Sequence, residues 1–157
     1  SDVYKRQQQG VADVLGSDHA PHTKEEKSKP YPASPSGMPG VQTLVPLMLT
    51  HVAEGRLSLE RFIDLTSGGA QRVFGTANKG RMAVSYDADL TIVDLKAKKT
   101  ITHDQQATRC GWTPFDGFEA TGWPVATIVR GRVVMKDGEL IGQAHGRPVR
   151  FQETLAG

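Results

Sequence analysis

The chain has 157 residues, 38% of them hydrophobic and 23% charged, enough for one ordinary domain with a substantial core and typical of a soluble globular protein. Its net charge of +2 is spread without like-charge blocks and its aromatic content is 6%, which excludes both a basic nucleic-acid surface and a stacking platform for single strands. The single cysteine, Cys110, excludes an internal disulfide, argues against a cysteine-built zinc site and fits a reducing cytoplasm. No apolar run approaches the roughly 20 residues that span a bilayer, and the polar N-terminal stretch has no signal-peptide core.

Residues 1–9 read as a non-native, adaptor-like leader, with a native polar connector as the other reading, and are set apart from the fold. Gly10 to Ser17 reads as a short strand carrying Val11, Val14 and Leu15, and it runs into Asp18-His19-Ala20-Pro21-His22. From Thr23 to Pro39 the chain is rich in Lys, Glu, Pro and Ser and reads as a long loop. Val41, Leu44, Val45, Met48 and Val52 recur at helical spacing, Pro46 lies near the helix start, and Gly55 is the stop. Ser58 is the N-cap of a second helix with Leu59, Phe62 and Ile63, and a third runs from Ala70 to Phe74 and ends at Gly75.

Beyond residue 80 the period changes to two. Strands are expected at Asp89 to Asp94, Lys99 to Thr102, Val125 to Val129 and Arg132 to Met135, and Asp137-Gly138 is a tight turn into Glu139 to Ile141. This order fits the end of a (β/α)8 barrel followed by a small β-rich domain, and it fits a lone α+β domain equally well.

The chemistry concentrates at Asp18. A carboxylate at the C-terminal end of a barrel strand faces the active site, where it binds a metal or takes a proton from metal-bound water. His22, four residues on, is placed to meet a substrate, and His19 to support a metal ligand from behind. An Asp after a strand also serves as a turn or cap residue, so residue type alone leaves both readings open.

The segment Ser17-Asp18-His19-Ala20-Pro21-His22-Thr23-Lys24-Glu25-Glu26-Lys27 resembles the signature of type I dihydroorotases in the amidohydrolase superfamily. Ser36-Gly37-Met38-Pro39-Gly40-Val41-Gln42-Thr43 is similar to that family's second substrate loop. Gly80-Arg81 with Asp87-Ala88-Asp89-Leu90, then Thr113-Pro114-Phe115-Asp116-Gly117 and Gly122-Trp123-Pro124-Val125, resemble its return from barrel to β-domain and its C-terminal stretch. The resemblance implies the end of a metal-dependent hydrolase TIM barrel over residues 10–79 and a β-rich domain, a β-sandwich, over residues 80–157. It makes Asp18 both a zinc ligand and the general acid–base group, His22 a partner of the substrate carboxylate, and Ser36 and Gly37 backbone contacts to substrate.

The implied reaction is zinc-dependent, reversible hydrolysis of dihydroorotate to N-carbamoyl-aspartate in cytoplasmic pyrimidine synthesis, by a homo-oligomer. Two departures matter. The family's His-x-His pair and its further ligands are not in this chain, so the 157 residues alone are expected to be inactive. Ser85 stands where the family often has Gly. His51, His103 and His145 read as surface or packing residues, and Trp112 and Trp123 as packing residues. The alternatives are allantoinase, a hydantoinase or dihydropyrimidinase, for which His22 discriminates, and a non-catalytic partner of aspartate transcarbamoylase.

Overall fold

The computed structural model describes residues 10–152. The reading of residues 1–9 lies outside the described residues. Four short helices come first: α1 (Lys24–Lys27), α2 (Leu44–Ala53), α3 (Leu59–Ile63) and α4 (Gly69–Phe74). Four strands follow, β1 (Leu90–Thr100), β2 (Glu119–Val129), β3 (Arg132–Lys136) and β4 (Glu139–Leu140), in one antiparallel sheet of order β1-β2-β3-β4. The described residues form this one sheet, and the second layer of the expected sandwich is not among them.

The helix signals act as the sequence reads. Gly55 adopts φ 72° after α2. Its N–H meets the Val52 carbonyl at 3.0 Å and the Arg56 N–H meets that of His51 at 2.9 Å, so the orphan carbonyls of the last turn are satisfied. The Ser58 hydroxyl accepts from the Arg61 N–H at 3.1 Å and caps α3. α3 and α4 form one continuous rod joined by a π-helical turn at Asp64–Gly68. Asp64 fixes that turn by accepting from Arg61 at 2.8 Å and from both Arg72 guanidinium nitrogens at 2.8 and 3.0 Å. The hydrogen bond from Arg72 holds its carboxyl below the usual Asp range.

The buried face of α2 differs from the expected stripe. Val41 precedes the helix and is 59% exposed, while Thr43, Pro46, Leu49 and Thr50 are buried. The helix lies over β2 as well as against α3, so its inward face is turned toward the sheet. Leu49, Leu57, Phe62 and Leu65 form the core, with Leu15, Val45, Met48 and Val93 packed around them.

Three more expectations are corrected. Residues 10–17 pair with no strand among the described residues, and their backbone serves the helical rod instead. The Leu15 N–H donates to the Leu65 carbonyl at 3.0 Å, and Arg61 donates to the Ala12 carbonyl. The loop expected over 23–39 contains α1, because Thr23 and Glu26 form a reciprocal capping box. The two strands expected at 89–94 and 99–102 are the single strand β1 with a bulge between Asp94 and Lys98. The Asp94 carboxylate takes the Lys96 and Ala97 N–H groups at 2.8 and 3.2 Å, so the strand bends there and then resumes its pairing.

The Asp87-Ala88-Asp89 stretch has a structural task. Asp87 and Asp89 both pair with Lys79. Asp87 also pairs with Arg130 at 3.1 Å, Asp89 accepts the Arg130 N–H at 2.7 Å, and the Gly131 N–H meets the Ala88 carbonyl at 2.9 Å. These bonds tie the connector after the helices to the β2–β3 turn. Ser85, just before them, sits at φ 69°, a conformation in which a glycine is unstrained.

Candidate active site

Asp18 closes the 10–17 segment at φ 45°, a left-handed conformation that Asp tolerates better than most residues. The turn leaves Asp18 exposed, and its carboxylate makes no hydrogen bond or ion pair to another described residue. An exposed carboxylate held at a backbone outlier is a candidate for chemistry rather than for capping.

The second loop lies directly against this segment. His19 and Met38 form a parallel bridge, and the Ala20 N–H donates to the Met38 carbonyl at 3.0 Å. His19 Nδ1 accepts the Gly40 and Val41 N–H groups at 3.1 and 3.3 Å. The two glycines are needed for contact, not only for turning. A Cβ at Gly37, where φ is 104°, would lie 2.7 Å from the Ala20 carbonyl oxygen. One at Gly40 would lie 2.6 Å from that of Ser17. Only glycine lets the two main chains approach this closely. Lys27 Nζ donates to the Pro35 and Gly37 carbonyls at 2.7 and 3.2 Å and fixes the base of the loop. Ser36, beside Gly37, is exposed.

His22 begins the capped turn of α1. Its Nδ1 is 3.6 Å from Glu26 Oε2. The Thr23 N–H donates to that oxygen at 2.8 Å, which is the main reason the Glu26 carboxyl is held below its ordinary range. The structure therefore brings His19, Ala20, Gly37 and Gly40 together and places Asp18 and His22 at the two ends of that contact.

Hollows of about 400 and 240 Å³ open among the described residues. Neither is lined by Asp18 or His22. The larger one lies between the end of α2 and the β1–β2 edge, and the smaller one lies beside His19 and Gln42.

Among the described residues no group of three or more His, Cys, Asp or Glu is placed to hold a metal. Asp18 is one oxygen donor, and the described residues by themselves do not fit a zinc centre. The other histidines have structural partners. His103 Nδ1 accepts the Thr113 N–H at 3.1 Å, and His145 Nε2 lies 2.8 Å from the Val129 carbonyl. Trp112, read from sequence as a packing residue, donates from Nε1 to the His22 carbonyl at 2.7 Å. No local pattern announces that bond, since the partners are 90 residues apart. The capping-box spacing of Thr23 and Glu26, by contrast, points directly to Glu26.

An exposed Asp closes the 10–17 segment, a glycine loop is laid against it, and a helical rod lies beside that segment. The chain belongs to the amidohydrolase family, whose pattern it matches over residues 2–134. It is similar to the dihydroorotase of Methanothermobacter thermautotrophicus, at 44% identity over 85% of this chain and 31% of that protein. It is also similar to the dihydroorotase of Halobacterium salinarum, at 41% identity over 94% of this chain and 35% of that protein. Among solved structures it resembles the L-hydantoinase of Arthrobacter aurescens (TM-score 0.83, 38% identity) and a D-hydantoinase of Thermus sp. (TM-score 0.85, 35% identity). Each match covers 90% of this chain and 32% of the solved chain. The chain thus spans about a third of the length of the relatives it matches.

Proposed function

We propose that this chain is part of a dihydroorotase, a cyclic-amide hydrolase that opens the ring of dihydroorotate to N-carbamoyl-aspartate. The observation that carries the reading is the seating of the Gly37–Gly40 loop on the Ser17–Ala20 backbone, which joins the two segments that the family resemblance assigns to the substrate site. The similarity to dihydroorotases over most of the chain supports the substrate.

In this reading residues 10–79 supply the last strand and helices of a (β/α)8 barrel and residues 80–157 a β-rich domain. Ile63, Val73 and Phe74 are each more than half exposed on the helical rod, as expected of faces that pack on neighbouring barrel helices. The zinc ion would take Asp18 as one ligand and the rest from outside the described residues. The protein works in the cytoplasm as a homo-oligomer, and an association with aspartate transcarbamoylase belongs to the same proposal. Among the described residues no helix is long and apolar enough to cross a membrane.

Asp18 carries the proton. It accepts one from the attacking water as the new C–O bond forms at the ring carbonyl, then returns it to the ring nitrogen as the C–N bond breaks. Ser36 and Gly37 offer main-chain polar groups to the ring, and His22 offers a donor to its carboxylate.

His22 separates dihydroorotase from hydantoinase or allantoinase, whose rings carry no carboxylate of this kind. In the full-length enzyme, His22→Ala raises KM for dihydroorotate about tenfold or more, the worth of one hydrogen bond to a charged group. Steady-state kinetics check this, and an unchanged KM removes His22 from the substrate site.

A further inference from the structure

The stretch between β1 and β2 reaches both loops of the site. Gln42, on the second loop, donates from its side-chain nitrogen to the Gln105 carbonyl at 2.7 Å and accepts the Ala107 N–H at 2.8 Å. A turn follows in which the Gly111 N–H meets the Thr108 carbonyl at 3.1 Å. Gly111 stands at φ 65° with open space where a side chain would be, so its role is to redirect the chain. Trp112 comes next. Its ring is half-buried, and its Nε1–H reaches the His22 carbonyl at 2.7 Å. On the other side of His22, Glu26 faces the imidazole at 3.6 Å and is itself fixed by Thr23. His22 is thus held at its main chain by Trp112 and has the Glu26 carboxylate beside its ring.

We propose that Trp112 is a positioning residue, whose indole N–H fixes the main chain of His22 so that the imidazole is presented to the carboxylate of the substrate. The inference rests on the reading of His22 given above. Without the N–H donor the His22 carbonyl loses its partner and the His22–Thr23 corner gains freedom. A ligand that carries a carboxylate loses a pre-set donor and binds more weakly. A ring without a carboxylate does not use His22 and is unaffected, and the ring-opening step at Asp18 is unchanged.

The test uses the full-length enzyme with Trp112→Phe, which keeps an aromatic ring and removes the donor along with part of the ring's volume. KM for dihydroorotate is expected to rise several-fold, up to about tenfold, with kcat held within about twofold and the inhibition constant of dihydrouracil unchanged. Adding Trp112→Phe to His22→Ala is expected to have no further effect, because both act through one contact. An unchanged KM in Trp112→Phe, beside a raised KM in His22→Ala, overturns the role of Trp112 alone. A joint loss of kcat and dihydrouracil binding marks a structural role and also overturns it. An unchanged KM in His22→Ala overturns the reading of His22, and this role for Trp112 with it.

Discussion

Replacing Asp18 with Asn in the full-length enzyme lowers kcat for dihydroorotate by about 10²–10⁴-fold, the range that proton transfer by a placed side chain contributes. The substitution isolates chemistry from folding. Asn shares with Asp its tolerance of the left-handed backbone at φ 45° and nearly its volume, so the turn at the end of the 10–17 segment is preserved. The Asp18 side chain has no partner among the described residues whose loss would loosen the site. On the proposed reading, what is lost is the ability to take a proton from water and return it to nitrogen, together with one charged zinc ligand, so zinc content is measured beside kcat. Steady-state kinetics beside thermal melts check the claim, with melting expected within a degree or two of the unsubstituted enzyme. A kcat kept within tenfold places the proton carrier elsewhere.

Gly122→Ala carries the largest expected effect on stability. Gly122 lies in β2 at φ 96° and faces α2. A Cβ there would lie 2.5 Å from the Cβ of Leu49 and 3.1 Å from its Cδ1. Leu49 is 1% exposed and is a centre of the core, so it has no room to withdraw. Two costs combine, about 1–3 kcal/mol for the backbone conformation and about 1–3 kcal/mol for overpacking. Their sum is a large share of the total stability of about 5–15 kcal/mol typical of a domain. Gly131→Ala supplies the control, since Gly131 is at φ 76° with nothing within 4 Å of a built Cβ. It bears the first cost alone. Urea unfolding of the two variants is expected to show the greater loss in Gly122→Ala, and equal losses would mean that the contact with Leu49 is not tight.

Local signals carried the helix ends. Ser58, Gly55 and Gly75 act where sequence places them, because capping depends on residues only a few positions apart. The capping box at Thr23 and Glu26 is equally local and makes α1 inside a stretch whose composition reads as a loop. What sequence hides depends on partners far along the chain. The inward face of α2 is not legible locally because β2, some 70 residues later, competes with α3 for it, as the bond between Thr50 Oγ1 and the Thr121 N–H at 2.9 Å shows. The bulge in β1 follows from Asp94 turning its carboxylate back on its own backbone, which period-two reading takes for a strand end. Residues 10–17 have strand composition, but a ladder needs a neighbour to exchange hydrogen bonds with. Asp18, His22, Ser36 and Gly37 are candidates through the family resemblance alone. The clamp by His19 and the bond from Trp112 are not legible in the sequence, because they are made in space between loops of ordinary composition.

The proposed substrate is tested most directly by comparing hydrolysis of dihydroorotate, allantoin and dihydrouracil by the zinc-supplemented full-length enzyme. Turnover of dihydroorotate well above the other two is the predicted result. Preferred turnover of allantoin or dihydrouracil would move the enzyme to a sister activity of the same family, and failure to open any of the three rings would contradict a catalytic role altogether.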